Sequence, residues 1–132
     1  MLGHSERIVT LTVTMLFCAI ASAQTTIQLE PVVTGLSNPL FVGHAGDGSN
    51  RLFIVERGGT IRVLQAGSSS PTLFLDIHTK MATTGDEQEL LGLAFHPNYA
   101  INHRFFVYYS HASDGTEIIA EYAAIKPTGP AP

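Results

Sequence analysis

The densest run of side chains that could do chemistry is Asp86-Glu87-Gln88-Glu89, which stands directly before the apolar residue Leu90. Carboxylates and a carboxamide in one loop can coordinate a metal ion or hydrogen-bond a polar ligand. A solvated acidic loop explains the same residues equally well, because a run of like charges usually faces water. The run therefore marks a candidate site whose ligand the local pattern does not identify.

Histidines are the side chains that could exchange protons near neutral pH. His96 stands before Pro97-Asn98-Tyr99, where its imidazole could act as a general base or could fix the turn that follows an apolar strand. Four others are scattered among predicted turns, and this spacing does not favour a zinc cluster: His44, His78, His103 and His111.

Asp47 and Asp76 are the carboxylates that invite a calcium site. Asp47-Gly48-Ser49-Asn50 offers several oxygen ligands, but it lacks the length and the terminal Glu of an EF-hand loop. Turn chemistry accounts for it better, since Asp and Asn side chains hydrogen-bond their own backbone in turns. The sequence therefore predicts no metal site in this chain.

The charge balance excludes one class of partner. The chain has 7 Lys and Arg against 11 Asp and Glu, a net charge of −4, and no basic cluster. A nucleic-acid partner needs a concentrated positive face, so none is predicted. Arg57 and Arg62 are expected to pair with Glu56 or with acidic groups of a neighbouring sheet, as surface pairs worth about 0–1 kcal/mol.

Residues 1–23 have the pattern of a secretory signal peptide. An apolar run covers residues 8–21 and ends in the small residues Ala21-Ser22-Ala23. Because the run is shorter than the roughly 20 residues of a spanning helix, we expect a cleaved signal helix and no stable membrane anchor. Cleavage would remove Cys18, the only cysteine, and leave no disulfide or thiolate site. The protein is predicted to be exported, to the periplasm or the cell exterior.

Short apolar runs separated by Gly, Asn, Asp, Ser and Pro predict an all-β chain. The expected strands are residues 28–33, 40–44, 51–55, 60–65, 72–76, 91–95, 105–110 and 116–123. Over residues 40–76 the turns indicate four consecutive antiparallel strands, with Gly58-Gly59 as a two-residue hairpin turn. Four such strands within about 40 residues are typical of one β-propeller blade.

A second set of strands begins at Leu91, with Asp114-Gly115 in its later hairpin turn. Gly92 and Ala94 are small, as expected for the crowded innermost strand of a blade. A single blade cannot bury both faces of its sheet, and propellers close with about four to eight blades. The predicted fold is therefore an incomplete β-propeller of about two four-stranded antiparallel blades in residues 24–126, between the signal helix and a proline-rich tail, residues 127–132. We expect such a chain to be a fragment rather than a finished domain.

Three segments occur in a fixed order across nearly all of the mature chain. They are residues 33–39 (VTGLSNP), residues 47–64 (DGSNRLFIVERGGTIRVL) and residues 85–100 (GDEQELLGLAFHPNYA), the last followed by residues 104–110 (RFFVYYS). In order and spacing they resemble the amino-terminal part of the glucose/sorbosone dehydrogenase family. That family includes soluble dehydrogenases that use pyrroloquinoline quinone (PQQ) on a six-bladed β-propeller.

The resemblance implies an exported PQQ-dependent sugar dehydrogenase-like oxidoreductase, with a sugar or another small alcohol as substrate and with PQQ and calcium in the complete protein. A family glutamine that contacts the quinone aligns with Glu87, and Gln88 lies one step later, so these two are the expected cofactor-binding residues. Glu87 departs from the pattern. A carboxylate there would repel a tricarboxylated quinone unless a cation or a proton intervenes.

The resemblance also assigns the catalytic base to an Asp-His pair in a later segment. No catalytic residue is therefore expected within these 132 residues, and His96 is expected to be structural. The chain alone should be inactive and should need no cofactor. The alternative is a non-catalytic propeller that binds carbohydrate or protein, like the relatives that resemble hedgehog-interacting proteins, and Glu87 favours this alternative. A cell-envelope repeat module with neither role is the third reading.

Overall fold

The computed structural model describes residues 25–82 and 88–125 of the chain. The chain divides into two units, residues 1–30 and residues 31–132. In the first, the described residues 25–30 are exposed and have no regular secondary structure. No helix within the described ranges is long and apolar enough to cross a membrane. The predicted signal helix, residues 1–23, and the proline-rich tail, residues 127–132, lie outside the described residues.

A four-stranded antiparallel meander forms the first sheet. Its strands are β1 (Pro39–Gly43), β2 (Leu52–Glu56), β3 (Thr60–Leu64) and β4 (Thr72–Asp76), and each pairs with the next in chain order. Consecutive strands joined by short turns usually become neighbours in a sheet. The blade predicted for residues 40–76 is thereby confirmed.

A three-stranded antiparallel meander forms the second sheet, where a four-stranded one was predicted. Its strands are β5 (Leu90–Phe95), β6 (Arg104–Ser110) and β7 (Glu117–Ala123), and a short helix, α1 (Tyr99–Asn102), connects the first two. The predicted turn residue Gly115 lies between β6 and β7 with a φ of 69°, a conformation that glycine adopts readily.

Residues 28–33 are not a strand, and this part of the sequence prediction is wrong. Their backbone joins neither sheet. Pro31 stands in the middle of the stretch and has no N–H, so a strand there would lose a ladder hydrogen bond. Further along, Gly35 and Asn38 have φ angles of 77° and 48°, so the chain turns before it enters β1.

The turn between β2 and β3 is one residue longer than predicted. Glu56 pairs with Thr60, so the loop consists of Arg57, Gly58 and Gly59. The N–H of Gly59 donates to the carbonyl of Glu56 at 3.1 Å, and Gly59 has a φ of 100°. Three-residue hairpin loops favour glycine at such a position because other residues are strained there.

We expect Gly59→Ala to lower the free energy of unfolding by about 2 kcal/mol, the range of a residue forced into an unfavourable backbone conformation. A Cβ at this position would lie 2.8 Å from the Cα of His78 and 2.8 Å from the Sδ of Met81. Because the His78 contact is with backbone, the segment after β4 would have to shift. Urea unfolding of the two proteins measures the loss.

Gly92→Ala is the matched control for this substitution. The φ of Gly92 is ordinary, and a Cβ there would meet the Cβ of Tyr108 at 3.8 Å, a normal contact. Within the described residues Gly92 is therefore not the point of close approach that the sequence suggested. Equal losses for the two glycine substitutions would contradict the role assigned to Gly59.

Aromatic rings fill the space between the two sheets. The ring of Phe53 on β2 lies 4.8 Å from that of Phe74 on β4 and 4.6 Å from that of Phe95 on β5. The Phe95 ring in turn lies 4.7 Å from Tyr99 and 6.0 Å from Phe105. These edge-on and tilted geometries are the favourable ones for aromatic pairs. The two sheets therefore share one core to which both contribute.

A β-bulge in β4 directs two consecutive side chains into that core. The register between β3 and β4 shifts between Ile61 and Arg62, which leaves Phe74 as the extra residue. Phe74 and Leu75 are both buried, with 0% and 2% of their surface exposed. Regular alternation would have turned one of them away, so the bulge enlarges the core.

The faces that point away from the core carry several exposed apolar side chains in the described part of the chain. Val42 and Leu73 are exposed on the first sheet, and Ile119 is exposed on the second. Neither sheet closes on itself. The two sheets are adjacent blades of an open propeller, which confirms the predicted fold class.

Candidate functional site

Polar turns from both sheets meet at one end of the two-blade unit. This loop face comprises the β2–β3 turn (residues 57–59), the end of β4 with the segment after it (residues 76–82), residues 88–89 before β5, and the β6–β7 turn (residues 110–117). Antiparallel strands alternate in direction, so the ends of β2, β4 and β6 and the start of β5 reach the same edge.

Hydrogen bonds across the sheets hold these segments together. The N–H of Leu90 donates to the carbonyl of Arg57 at 3.3 Å, and the N–H of Ala82 donates to the carbonyl of Ser110 at 2.9 Å. The guanidinium of Arg57 also pairs with Glu89 at 2.9 Å, as the sequence suggested for a neighbouring sheet. The loop face therefore holds its side chains in a fixed mutual arrangement.

Of the two predicted cofactor residues, Glu87 lies outside the described residues and Gln88 lies on the loop face. Gln88 is partly buried, and its carboxamide packs on the β6–β7 turn. A Cβ at Gly115 would come within 2.6 Å of the Nε2 of Gln88, so a side chain at this position would displace the amide. Contact of either residue with a cofactor stays a prediction.

Two imidazole–carboxylate pairs lie on the loop face, and the sequence did not single them out. The Oδ1 of Asp76 accepts the N–H of His78 at 3.0 Å and lies 2.6 Å from its Nδ1. The Nδ1 of His111 lies 2.9 Å from the Oγ of Ser113 and 3.5 Å from the Oδ1 of Asp114. A carboxylate at Nδ1 orients an imidazole and leaves Nε2 able to exchange a proton. In the sequence, the spacings Asp-x-His and His-x-x-Asp were the features from which these two pairs could have been predicted.

Backbone donors stabilise the ionised form of both carboxylates. The N–H of His78, followed by its ring, lowers the pKa of the Asp76 carboxyl below its usual range. The N–H of Thr116, 3.0 Å from the Oδ1 of Asp114, lowers the pKa of that carboxyl in the same way. Hydrogen bonds to the charged form favour it. Each pair therefore presents a fixed negative charge beside an imidazole.

As a set, the described residues of the loop face do not fit a tricarboxylated quinone. Their fixed charges are two cations and four carboxylates: Arg57, Lys80, Asp76, Glu89, Asp114 and Glu117. Arg57 is already paired, and the ammonium of Lys80 lies over the ring of Tyr122 at 5.4 Å. An anionic ligand needs an excess of donors and positive charge. Residues 25–82 and 88–125 also bring no three metal-ligating side chains together.

Asp47 is used by its own turn at the opposite end of β2. It accepts the N–H of Ser49 at 3.1 Å and the hydroxyl of Ser49 at 2.5 Å, and it pairs with Arg51 at 2.6 Å. Burial raises the pKa of the Asp47 carboxyl, but these hydrogen bonds and the Arg51 charge outweigh it and lower that pKa. The turn interpretation of this segment is confirmed.

Glu56 is a buried carboxylate at the end of β2, with 2% of its surface exposed. It accepts the N–H of Ser37 at 2.7 Å, the guanidinium of Arg62 at 3.1 Å and the hydroxyl of Thr60. Burial raises the pKa of the Glu56 carboxyl, while the donors, the Ser37 N–H first, hold it below its usual range. The pairing with Arg62 was predicted. The link to the segment before β1 was not.

His96 fixes the turn after β5, as the sequence predicted. Its Nδ1 accepts the N–H of Asn98 at 3.0 Å and lies 2.9 Å from the Nδ2 of Asn102. The imidazole therefore joins the turn to α1, at the end of β5 remote from the loop face. His44 makes a similar local contact, accepting the N–H of Gly46 at 3.2 Å.

We expect His96→Ala to lower the free energy of unfolding by about 1 kcal/mol, because it leaves the N–H of Asn98 without its acceptor. Ligand binding at the loop face should not change. Urea unfolding checks the first statement. His96→Asn, whose side-chain oxygen can accept the same N–H, should recover part of the loss, and His44→Ala serves as an exposed control. A loss of ligand binding with unchanged stability would contradict the structural role.

No family model matches the chain. Among curated proteins, Hedgehog-interacting protein from Homo sapiens is 43% identical over 86 residues, and the protein of that name from Mus musculus is 42% identical over 86 residues. Each match covers 62% of this chain but only 12% of the relative. The chain therefore spans a small part of the curated relatives that it matches.

Among solved structures, the chain is similar to the PQQ-bound form of an aldose sugar dehydrogenase from Streptomyces coelicolor, with a TM-score of 0.62 and 26% identity. That match covers 79% of this chain and 31% of the dehydrogenase. An oxidoreductase described as a glucose dehydrogenase, from Thermus thermophilus, gives a TM-score of 0.62, 25% identity, and coverage of 78% and 30%. The two sheets thus have the architecture of part of a propeller-type dehydrogenase.

Proposed function

We propose that this chain, whose described sheets are similar to part of two solved sugar dehydrogenases, supplies the first two blades of an exported, PQQ-dependent sugar dehydrogenase-like oxidoreductase. The observation that carries the proposal is the likeness to a PQQ-bound aldose sugar dehydrogenase over 79% of the chain. Fold alone does not determine function, so the charges and side chains of the loop face also bear on the proposal.

In this proposal the chain contributes part of the site at which the reaction takes place. The residues that carry out the chemical step lie elsewhere. Its loop face is acid-rich and supplies two fixed cations, of which Arg57 is paired with Glu89. We propose that the basic residues that hold the quinone, the calcium ligands and the catalytic Asp-His pair belong to other segments, as the family resemblance implies. Gln88, whose carboxamide lies against the Gly115 turn, is the described residue that we propose to contact the cofactor. When bound, PQQ would supply the two-electron acceptor for oxidation of the sugar carbon that bears the hydroxyl group.

Dye-coupled oxidation of glucose tests the proposal. The 132-residue chain, supplied with PQQ and calcium, is expected to show no turnover. The full-length protein that contains this portion is expected to oxidise an aldose only when PQQ is present. Turnover by the 132-residue chain would overturn the placement of the catalytic base, and failure of the full-length protein to bind PQQ would overturn the oxidoreductase proposal.

A second function is a non-catalytic propeller that binds carbohydrate or protein. The observation that favours it is the 43% identity to Hedgehog-interacting protein, against 26% for the aldose sugar dehydrogenase. The acid-rich loop face points the same way, because it suits a basic or neutral partner better than an anionic cofactor. Titration of the full-length protein with PQQ, followed by its absorption spectrum, decides between the two functions.

Export is part of the same proposal, and it rests on the signal-peptide pattern of residues 1–23. Amino-terminal sequencing of the protein recovered outside the cytoplasm is expected to begin at Gln24. Recovery of a protein that retains residues 1–23 would contradict cleavage and leave the dehydrogenase proposal untouched.

A further inference from the structure

The β6–β7 turn is held in one conformation by its own hydrogen bonds. The N–H of Gly115 donates to the carbonyl of His111 at 2.9 Å, and the N–H of His111 donates to the carbonyl of Thr116 at 2.8 Å. The N–H of Thr116 also donates to the Oδ1 of Asp114 at 3.0 Å. Gly115 has a left-handed φ of 69°, which costs glycine little. The turn therefore offers a firm support to a side chain that packs on it.

The segment before β5 is attached to both sheets. From the first sheet, the carbonyl of Arg57 accepts the N–H of Leu90 at 3.3 Å, and the Arg57 guanidinium pairs with Glu89 at 2.9 Å. From the second sheet, the N–H of Ser110 donates to the carbonyl of Glu89 at 3.2 Å. The backbone next to Gln88 is thus anchored, so the direction of the Gln88 side chain depends on what its carboxamide meets.

The carboxamide of Gln88 meets Gly115. A Cβ at Gly115 would lie 2.6 Å from the Nε2 of Gln88 and 3.7 Å from its Cδ, so the amide occupies the space beside the glycine Cα. Gly67, in the turn between β3 and β4, provides a contrast. Its φ of 75° is also left-handed, yet a Cβ there would meet nothing within 4 Å. The packed carboxamide therefore distinguishes Gly115 from a turn glycine of the same conformation.

The charges around Gln88 limit the kind of ligand atom that its carboxamide can meet. Four carboxylates are among the described residues of the loop face, and backbone donors lower the pKa of two of them, Asp76 and Asp114. A ligand carboxylate brought to this face would meet like charge, which is costly. An uncharged oxygen avoids that cost. A carboxamide can donate to a carbonyl oxygen, and it can both donate to and accept from a hydroxyl group.

We propose that Gly115 is the positioning residue of Gln88, and that the carboxamide so placed hydrogen-bonds an uncharged oxygen of the ligand at the loop face. That oxygen is a quinone carbonyl in the oxidoreductase function and a sugar hydroxyl in the carbohydrate-binding function. The inference rests on the proposed function for the presence of a ligand at this face. A side chain that is already held in place loses less freedom on binding, and this favours affinity.

Three substitutions in the full-length protein that contains this portion test the inference. Gly115→Asn puts a Cβ against the amide, and asparagine tolerates a left-handed φ. Gln88→Ala removes the carboxamide. Gly67→Ala is the matched control, because it strains a left-handed turn at the opposite end of the strands and displaces no side chain.

Nuclear Overhauser effects between the side-chain amide protons of Gln88 and the Hα protons of Gly115 report the packing with no ligand bound. They are expected in the wild type and in Gly67→Ala, and they should disappear in Gly115→Asn because the amide is displaced. Their absence from the wild type would overturn the positioning role, whatever the protein binds.

Titrations with PQQ and with glucose, each in the absence of the other, measure binding at the two kinds of oxygen. Gln88→Ala should weaken binding of one of these ligands about tenfold, the effect of one hydrogen bond. Gly115→Asn should weaken it by about the same factor, and Gly67→Ala by less than about twofold. The double variant of Gln88 and Gly115 should be no worse than Gln88→Ala alone, since both substitutions act through one carboxamide.

The ligand that is affected identifies the oxygen. A loss of PQQ affinity should come with a higher carbonyl stretching frequency of the bound quinone in Gln88→Ala, measured by Raman spectroscopy. An unchanged frequency would place a carboxylate at Gln88 and overturn the proposal. A loss of glucose affinity supports a sugar hydroxyl, whereas a loss confined to glucuronate would again mean a carboxylate and refute the proposal.

The remaining outcomes separate this inference from the proposed function. Binding of PQQ by the wild type with no effect of Gln88→Ala on either ligand would overturn the inference alone, as would additive losses in the double variant. A wild type that binds neither PQQ nor glucose would overturn both proposed functions and the inference with them. Should Gly115→Asn not fold, the comparison of Gln88→Ala with Gly67→Ala still decides whether the carboxamide contacts the ligand.

Discussion

Phe53→Ala is expected to lower the free energy of unfolding by about 3–5 kcal/mol, the usual cost of removing a buried aromatic ring. Phe53 is fully buried, and its ring lies between those of Phe74 and Phe95. The guanidinium of Arg51 also lies over this ring at 5.3 Å. Truncation therefore opens a cavity at the contact between the two blades, where neither sheet alone can close it.

Urea unfolding followed by circular dichroism measures this loss. Phe53→Leu keeps most of the volume and should cost only about 1 kcal/mol. Phe41→Ala is the matched control, because Phe41 is 44% exposed at the edge of β1. Its truncation should cost about 1 kcal/mol, in proportion to the smaller area that it buries. If Phe41→Ala and Phe53→Ala were equally destabilising, the core between the blades would not be the main source of stability.

Strand positions in both sheets were predictable because they depend on local pattern. Residues 51–55 and 60–65 were predicted as strands, and the structure has Leu52–Glu56 and Thr60–Leu64. Apolar alternation and Gly- or Asp-rich turns act within a few residues, so a single sequence contains them. The antiparallel order followed from the short connections between these strands.

The errors arise where pairing depends on distant residues. The stretch 28–33 has apolar residues at strand spacing, yet a strand forms only where a partner offers its backbone, and Pro31 removes one of the needed donors. The bulge at Phe74 likewise reflects the fit of β4 to the core rather than its own residues. The additional residue in the β2–β3 turn depends on Gly59, whose carbonyl accepts the N–H of Ile77 at 2.9 Å.

The position of Gln88 was predictable, but the composition of the loop face around it was not. Gln88 was placed beside the strand that begins the second blade, and the structure puts it on the loop face. The pairing of His78 with Asp76 was overlooked because each residue alone looks like an ordinary turn residue. Only the fold brings these residues to the edge at which Gln88 and the His111 turn also lie.

Glu56 is the clearest case of a residue whose burial and partners the sequence pattern did not predict. A carboxylate at the end of a strand is normally exposed, and the sequence suggested only a surface pair with an arginine. The structure buries it, and the N–H of Ser37, nineteen residues earlier in the chain, donates to it there. Buried carboxylates persist where several donors satisfy them. The consequence is a measurable dependence of stability on this one group.

Glu56→Ala is expected to lower the free energy of unfolding by about 3 kcal/mol near neutral pH, since it leaves the N–H of Ser37 and the hydroxyl of Thr60 without an acceptor and Arg62 without its partner. Glu56→Gln keeps one acceptor oxygen and should cost less. Glu121→Gln, which breaks the exposed pair with Arg104, is the matched control and should change stability little.

The same carboxylate should make stability fall on acidification. Its pKa is lower in the folded chain than in the unfolded one, where a glutamate has a pKa of about 4.3. The stabilisation is therefore complete above the unfolded pKa and disappears as the pH falls through the folded value. Urea unfolding of the wild type and of Glu56→Gln, repeated across this range, should give a difference that is largest near neutral pH and shrinks in acid. A difference that grew as the pH fell would mean that the buried carboxyl is protonated in the fold, and would refute the arrangement of donors around it.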